Sequence, residues 1–219
     1  MLINKLRFKM TKRNKRYGSR KKKKKCNDSE SDSDSDSESP EIRVVKNHIY
    51  FWCDVTKKTA LELSIKLTEV YCSFNQLAMS GDDIIPLYLH INSDGGDADA
   101  AIGVLDSLES LIAQGAKVVT IVEGSASSAA TIISVGGSER RIRPNAYMRV
   151  HQFTTGIMGK KSVIDDEHGN LEKFEEVLCR IYTKHTHMNK TQLKKLLGRE
   201  LDLNPEECIE KGLIDCIQE

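Results

Sequence analysis

Hydrophobic and polar positions follow two different periods along residues 42–219, which predicts a mixture of strands and helices. Short runs rich in branched and aromatic residues are typical of strands. Such runs occupy residues 47–53, 84–91, 117–123 and 148–150. Segments with helical spacing or helix-forming composition indicate helices. These segments occupy residues 56–76, 97–113, 129–135, 165–185, 191–197 and 206–211, the last with Gly212 as its C-cap.

The order of these elements predicts the fold class. Strands and helices alternate over short loops, such as residues 80–83 and 92–96. This alternation implies parallel strands joined by right-handed helical crossovers, so the chain is predicted to be an α/β protein. A length of 219 residues with 39% hydrophobic residues is enough for one core and a tail. His90, Trp52 and Cys53 lie in predicted strands, and we expect their side chains in that core.

The first 41 residues differ from the rest of the chain in charge. Residues 1–25 contain 13 Lys or Arg and no acid, and residues 26–41 contain seven Asp or Glu and no base. Both segments have too little apolar surface to offset the entropy of ordering, so they are predicted to be disordered. The basic run fits a solubilising extension best, with a nuclear-import or nucleic-acid patch and a mitochondrial presequence as alternatives. The Ser/Asp/Glu repeat at 29–39 fits either a substrate of acidophilic kinases or a plain spacer.

Composition argues against several classes of protein for the body, residues 42–219. This body has 20 basic and 25 acidic groups, a net charge of about −5, and therefore no basic excess for nucleic acid. Six cysteines without a C-x-x-C pair favour a reducing compartment over a zinc site or a disulfide scaffold. No apolar run reaches the ~18 residues of a membrane span, and no secretory signal is present. We expect a soluble, intracellular and most simply cytoplasmic protein without a metal, with His185 and His187 as surface groups.

Two turns between a strand and a helix carry the candidate chemistry. One contains Gly95 and Gly96, and the other runs through the small residues 124–130 around Ser128. Backbone N–H groups at a helix start are unpaired and can stabilise a developing oxyanion. Ser128 is therefore a candidate nucleophile, although an ordinary helix N-cap has the same local pattern. The segment is not the G-x-S-x-G elbow of α/β-hydrolases, which argues against that fold.

Four segments in a fixed order resemble the ClpP family, the proteolytic subunits of Clp machines. They are LYLHINSDGG at 87–96, GSASSAA at 124–130, PNAYMRVHQ at 144–152 and NPEECIEKGLID at 204–215. The likeness spans about residues 44–217. It implies a crotonase-like fold of stacked ββα units with an outlying handle helix at 165–185. It also implies homo-oligomeric rings, commonly two stacked heptamers that form a tetradecamer.

The same resemblance implies a serine endopeptidase site. Carried over by position, Ser128 is the nucleophile and His151 is the general base. The backbone N–H groups of Gly96 and Ala129 would form the oxyanion hole. No cofactor is implied for this subunit.

The third member of the implied triad departs from the family pattern. The position of the orienting aspartate falls on Glu200, and a small shift of the alignment would select Asp202 instead. A glutamate keeps the charge and the hydrogen-bond acceptor, but its extra methylene moves the carboxylate by about one bond length. Both acids also fit ordinary surface charges.

The expected function is that of a Clp-type serine endopeptidase subunit, which hydrolyses peptide bonds of unfolded proteins or peptides through an acyl-enzyme. ATP would act only through an AAA+ Clp unfoldase partner, and the charged tail has no match to the family's pore segment that helps couple to it. One alternative, motivated by Glu200, is a catalytically weak or inactive subunit that acts in ring assembly. Another is a crotonase-type acyl-CoA enzyme, which shares the fold but leaves Ser128 and His151 without a role.

Overall fold

The computed structural model describes residues 42–78 and 84–219. The predictions for the charged tail and for the loop at 80–83 lie outside these described residues. Within them, seven strands form one sheet, and six helices accompany it. The strands are β1 (Ile42–Val45), β2 (His48–Phe51), β3 (Leu87–Ser93), β4 (Val118–Ser127), β5 (Glu139–Ile142), β6 (Tyr147–Arg149) and β7 (Cys216–Ile217). The helices are α1 (Lys57–Ala78), α2 (Ala98–Ala113), α3 (Ala129–Ser134), α4 (Lys161–His185), α5 (Lys190–Leu197) and α6 (Pro205–Glu210).

The sheet has the strand order β1-β2-β3-β4-β5-β7, and β6 pairs with β4. Strands β1 and β2 form an antiparallel hairpin, whereas every other pairing is parallel. Strand β5 pairs with the first half of β4, and β6 pairs with its last three residues, 125–127. The α/β class predicted from the alternation of elements is confirmed, and β4 is the central strand of the site region.

The core lies between the sheet and helices α1, α2 and α3. Helix α2 packs against both α1 and α3, and α1 also contacts the first three strands. Ile49 and Phe51 point from β2 into this layer and are fully buried, as are Leu63 and Leu67 from α1. Each such side chain contributes about 1.5–3 kcal/mol by leaving water. This packed layer holds in place the strands whose ends carry the site.

The prediction that Trp52 lies in the core is wrong, because its side chain is 56% exposed. Side chains alternate between the two faces of a strand. Ile49 and Phe51 take the helix-covered face of β2, so His48, Tyr50 and the following Trp52 lie toward the opposite face. Trp52 contacts the ring of Tyr50 edge-on there, with 6.5 Å between ring centroids.

His90 is buried as expected, being only 5% exposed, but it lies on the face of Tyr50 and His48, opposite the helix-covered core. Its Nε2 lies 2.8 Å from Nδ1 of His48, and its Nδ1 lies 2.9 Å from a carboxylate oxygen of Glu123. Cys53 is half-buried and packs against the edge of the core. These contacts explain why a histidine is tolerated at a buried strand position.

Three strands are absent from the sequence prediction, and two strand boundaries differ by three or four residues. Strand β5 (Glu139–Ile142) contains three charged residues, and β1 and β7 are short, so none has a clear apolar period. Strand β3 begins at Leu87 rather than at Ile84, directly after Pro86, which lacks an N–H for the ladder. Strand β4 continues to Ser127, four residues beyond the predicted end.

Helix α4 is the outlying helix that the resemblance implied, and it begins at Lys161, four residues earlier than predicted. Its buried residues all lie near its C-terminal end, between Leu178 and Tyr182. The N-terminal part of the helix therefore extends away from the packed body. At its last residue, Nε2 of His185 lies 2.7 Å from a carboxylate oxygen of Glu109.

Candidate active site

Two adjacent parallel strands carry Ser128 and His151 to the same edge of the sheet. Ser128 follows the last residue of β4, and His151 stands two residues after the end of β6. The two strands pair in parallel, with Ser127 opposite Arg149, and the amide of Ser128 donates a hydrogen bond of 2.7 Å to the Arg149 carbonyl oxygen. The carboxyl ends of neighbouring parallel strands form the usual ligand-binding edge of an open α/β sheet. Both residues are buried.

Ser128 has a backbone conformation that L-amino acids rarely adopt. Its φ is +62° and its ψ is −126°, and it occupies the N-cap position of α3 without capping the helix through its side chain. Strain of this kind costs about 1–3 kcal/mol and occurs mostly at functional sites. The ordinary N-cap interpretation of Ser128 does not explain this geometry, because a capping serine has an extended backbone and uses its hydroxyl oxygen as an acceptor.

The diglycine turn after β3 packs directly against the Ser128 turn. Gly95 has a φ of +93°, and a Cβ built on it would lie 2.7 Å from Cβ of Ser128 and 2.9 Å from the Ala129 nitrogen. Gly96 has a φ of +147°, and a Cβ there would lie 2.2 Å from the Val55 carbonyl oxygen. Both positions therefore require glycine, and the turn lies next to the first amide of α3. This juxtaposition is consistent with the prediction that the N–H groups of Gly96 and Ala129 form an oxyanion hole.

His151 has a carboxylate partner, and that partner is Glu200. Nδ1 of His151 lies 3.1 Å from Oε1 of Glu200. The imidazole is 8% exposed, whereas the glutamate side chain is 72% exposed. A carboxylate that accepts a hydrogen bond from Nδ1–H leaves Nε2 as the basic nitrogen, which is the tautomer a general base needs. Solvent screens the charge of so exposed an acid. We therefore expect Glu200 to orient the ring more than to stabilise a positive charge on it.

The segment that carries Glu200 is tied to β6 by backbone hydrogen bonds. The amide of Leu203 donates to the Met148 carbonyl oxygen at 2.7 Å, and the amide of Met148 donates to the Leu203 carbonyl oxygen at 3.0 Å. Further along, the amide of Gln152 donates to the Leu197 carbonyl oxygen at 3.1 Å. Glu200 lies between these two ties, which explains how a residue 49 positions from His151 reaches it.

Asp202, the alternative acid, has a different partner. Its Oδ1 accepts a hydrogen bond of 2.6 Å from Nε of Arg149. Arg149 is the last residue of β6, so this ion pair is a third tie between β6 and the loop that carries Glu200. Asp202 therefore lies beside the candidate site without contacting the imidazole.

A cavity of about 180 Å³ opens beside the segment that follows His151. Its wall includes Gln152 and Phe153 from the segment after His151, Leu178 and Glu175 from α4, and Leu197 from α5. The lining contains both polar and apolar side chains. Its one acid, Glu175, also forms an ion pair of 3.7 Å with Lys194. The cavity is large enough to hold one side chain of a bound peptide.

Several neighbours of the site were not singled out from the sequence. Arg149, Thr131 and Tyr182 make polar contacts to site residues or to the Ser128 backbone, yet none belongs to a motif that marks such a role. The Gly95-Gly96 doublet was visible, but the closeness of Gly95 to Ser128 was not. The two residues are 33 positions apart in the sequence, so no local pattern indicates that contact.

Within the described part of the chain, no three His, Cys, Asp or Glu side chains are grouped so that they could hold a metal ion. None of the described helices is both long enough and apolar enough to span a bilayer. Within the described residues, the cysteines at positions 53, 72, 179, 208 and 216 form no disulfide.

Comparison with known proteins gives a consistent assignment. A family model described as Clp protease matches residues 58–219. The ATP-dependent Clp protease proteolytic subunit of Nephroselmis olivacea is 31% identical over 158 residues, which are 71% of this chain and 74% of that relative. Proteolytic subunit 2 of Treponema denticola is 35% identical over 134 residues, 60% of this chain and 66% of the relative. The subunit of Mesostigma viride is 31% identical over 138 residues, 62% of this chain and 59% of the relative. This chain belongs to the Clp protease family.

Proposed function

We infer that residues 42–219 form a serine endopeptidase subunit that hydrolyses unfolded proteins or peptides. The observation that carries this inference is the hydrogen bond between the Ser128 amide and the Arg149 carbonyl oxygen. It joins the end of β4 to β6 just before His151, whose Nδ1 lies against Glu200. A strained serine beside a carboxylate-paired histidine is the arrangement that nucleophilic catalysis needs.

The reaction proceeds through an acyl-enzyme. Nε2 of His151 takes the proton as Oγ of Ser128 attacks the peptide carbonyl, and the C=O π electrons move to the oxygen. The backbone N–H groups of Gly96 and Ala129 stabilise the oxyanion. His151 then gives the proton to the leaving amine as the C–N bond breaks, and a water molecule hydrolyses the ester by the same steps. Glu200 holds the imidazole in the required tautomer throughout.

The assembly and the partner are proposed from the family resemblance: a homo-oligomeric ring, of the tetradecameric type, with an AAA+ Clp-type ATPase as its partner. The names of the relatives, proteolytic subunits of an ATP-dependent Clp protease, support the link to ATP. ATP is then used by the partner and not by this subunit. Repeated purification of the intact chain from its host should recover such an ATPase, and its consistent absence would count against the coupling. A cytoplasmic location stays a prediction.

Covalent labelling tests the nucleophile directly. The full chain, treated with a fluorophosphonate probe, should carry the label on Ser128, as located by mass spectrometry of its peptides, because only an activated serine reacts at a useful rate. The Ser128→Ala variant should not be labelled. A label that persists in this variant, or that maps to another residue, would refute the assignment.

The two acids near the site are expected to differ in their effect on turnover. Glu200→Gln removes the negative charge and offers an amide N–H to Nδ1, which favours the wrong imidazole tautomer. It should lower kcat/KM by about 10²-fold, less than at a buried triad acid because Glu200 is 72% exposed. Asp202→Asn removes only the charge of the ion pair with Arg149 and should cost less than about tenfold. Peptidase kinetics of both variants at equal folded concentration measure this order, and a reversed order would make Asp202 the orienting acid.

The exposure of Glu200 also supports a second candidate, a ring subunit with little activity of its own. Such a subunit would assemble through α4 but turn over peptides poorly. Labelling of Ser128 together with peptide turnover by the purified chain would exclude this candidate. A folded, assembled chain that shows neither would favour it.

A further inference from the structure

A buried hydrogen-bond chain connects α4 to the backbone of Ser128. The phenolic oxygen of Tyr182 lies 2.6 Å from Oγ1 of Thr131, and Oγ1 of Thr131 donates a hydrogen bond of 2.6 Å to the Ser128 carbonyl oxygen. Thr131 is fully buried, and Tyr182 is 3% exposed. The chain thus runs from α4, through the first turn of α3, to the residue proposed as nucleophile.

The direction of this chain follows from the number of hydrogens. The Thr131 hydroxyl has one hydrogen, which it donates to the Ser128 carbonyl oxygen. Its contact with Tyr182 then requires the phenol to be the donor. Burial raises the pKa of Tyr182 to about 12, so the phenol keeps its hydrogen over the whole range in which a peptidase works. The Tyr182 hydroxyl therefore donates to Thr131, and the Thr131 hydroxyl donates to Ser128.

The carbonyl group at the end of the chain belongs to a strained residue. The Ser128 carbonyl oxygen also accepts the Thr131 amide at 3.0 Å, and the Ser128 amide donates to Arg149 at 2.7 Å. A backbone with φ of +62° persists only where its surroundings hold it in place. The orientation of this peptide plane sets the position of Oγ of Ser128 and of the following amide, that of Ala129.

We propose that Tyr182 and Thr131 are positioning residues, which hold the strained Ser128 backbone in its reactive conformation through this hydrogen-bond chain. The proposal rests on the peptidase function proposed above, since it concerns the placement of that nucleophile. Neither residue contacts the substrate. Small errors in the placement of a reacting group lower the rate of the chemical step more than they change substrate binding.

Two substitutions remove one hydroxyl each and preserve the packing. Tyr182→Phe and Thr131→Val should each lower kcat, and the rate at which a fluorophosphonate labels Ser128, by about tenfold, with KM nearly unchanged. The double variant should be no slower than the slower single variant, because both hydroxyls act through one chain. Thr131→Ser keeps the hydroxyl and should restore most of the rate.

A matched control removes a tyrosine hydroxyl elsewhere. Tyr71 donates a hydrogen bond of 3.0 Å to the Gln114 carbonyl oxygen between α1 and α2, away from the site. Tyr71→Phe should keep the labelling rate of the wild type. Urea unfolding and gel filtration of every variant give the folded fraction and the ring size, so all rates are compared per folded subunit.

The outcomes separate this proposal from the peptidase function on which it rests. A wild-type chain that is not labelled at Ser128 overturns the function itself. A labelled wild type with unchanged rates in Tyr182→Phe and Thr131→Val overturns only the positioning role. The same holds if activity falls only in proportion to the folded fraction, or if Thr131→Ser is as slow as Thr131→Val, since the hydroxyls would then be merely structural.

Discussion

Ser128→Ala and His151→Ala are each expected to lower kcat/KM for peptide hydrolysis by about 10⁴- to 10⁶-fold. Without Oγ there is no nucleophile, and without the imidazole the serine keeps its proton. The double variant should be no worse than the worse single variant, because the two groups act as one unit in the same step. Steady-state kinetics with a fluorogenic peptide measure all three.

Exposed residues of the same types provide the controls for this prediction. Ser110→Ala on α2 and His187→Ala, beyond the end of α4, remove a hydroxyl and an imidazole from exposed positions. Both should keep the activity of the wild type. Losses that multiply in the double variant would show that Ser128 and His151 work independently, which a nucleophile and its base cannot do.

Gly95→Ala should abolish most of the activity while leaving every proposed catalytic group in the sequence. The added Cβ would lie 2.5 Å from the Ser127 carbonyl oxygen and 2.7 Å from Cβ of Ser128, so the turn or the serine must move. The φ of +93° adds strain of about 1–3 kcal/mol. A displacement of about 1 Å at the nucleophile costs about 10²-fold in rate, and we expect at least that loss in kcat/KM.

Gly103 gives a matched control for this substitution. It lies within α2 and a Cβ there would meet no atom within 4 Å, so Gly103→Ala should leave activity unchanged and raise stability by about 0.5–1 kcal/mol. Urea unfolding of both variants separates lost activity from lost fold. Wild-type turnover by a folded Gly95→Ala variant would show that the diglycine turn does not constrain Ser128.

Sequence patterns predicted the helices better than the strands. The start of α2 was placed within one residue, because Asp97 is a strong N-cap whose carboxylate accepts from the Ala100 amide at 3.0 Å. Strand β5 was missed because it has three consecutive charged residues, only half-buried, and therefore shows no apolar alternation. Trp52 was misplaced for a different reason, since a strand signal does not say which face will be covered.

Some residues of the candidate site could be predicted from the sequence, and others could not. Ser128 could be nominated from small residues between a strand and a helix, and His151 only with the family resemblance added. The resemblance selected Glu200 and kept Asp202 in reserve, because two positions in a loop decide whether a carboxylate reaches the imidazole or Arg149. That choice depends on the backbone ties of Leu203 and Gln152 to distant strands and helices, which no local pattern encodes.

By itself the sequence determined the alternation of strands and helices, the parallel α/β class and the need for small residues at the two turns. These features depend on neighbours a few positions apart, through backbone preference and side-chain period. The tertiary structure alone decided which acid meets His151, which sheet face stays open, and that Tyr182 bonds Thr131 from 51 positions away. Such contacts depend on the register between remote segments, and that register is set only when the whole core packs.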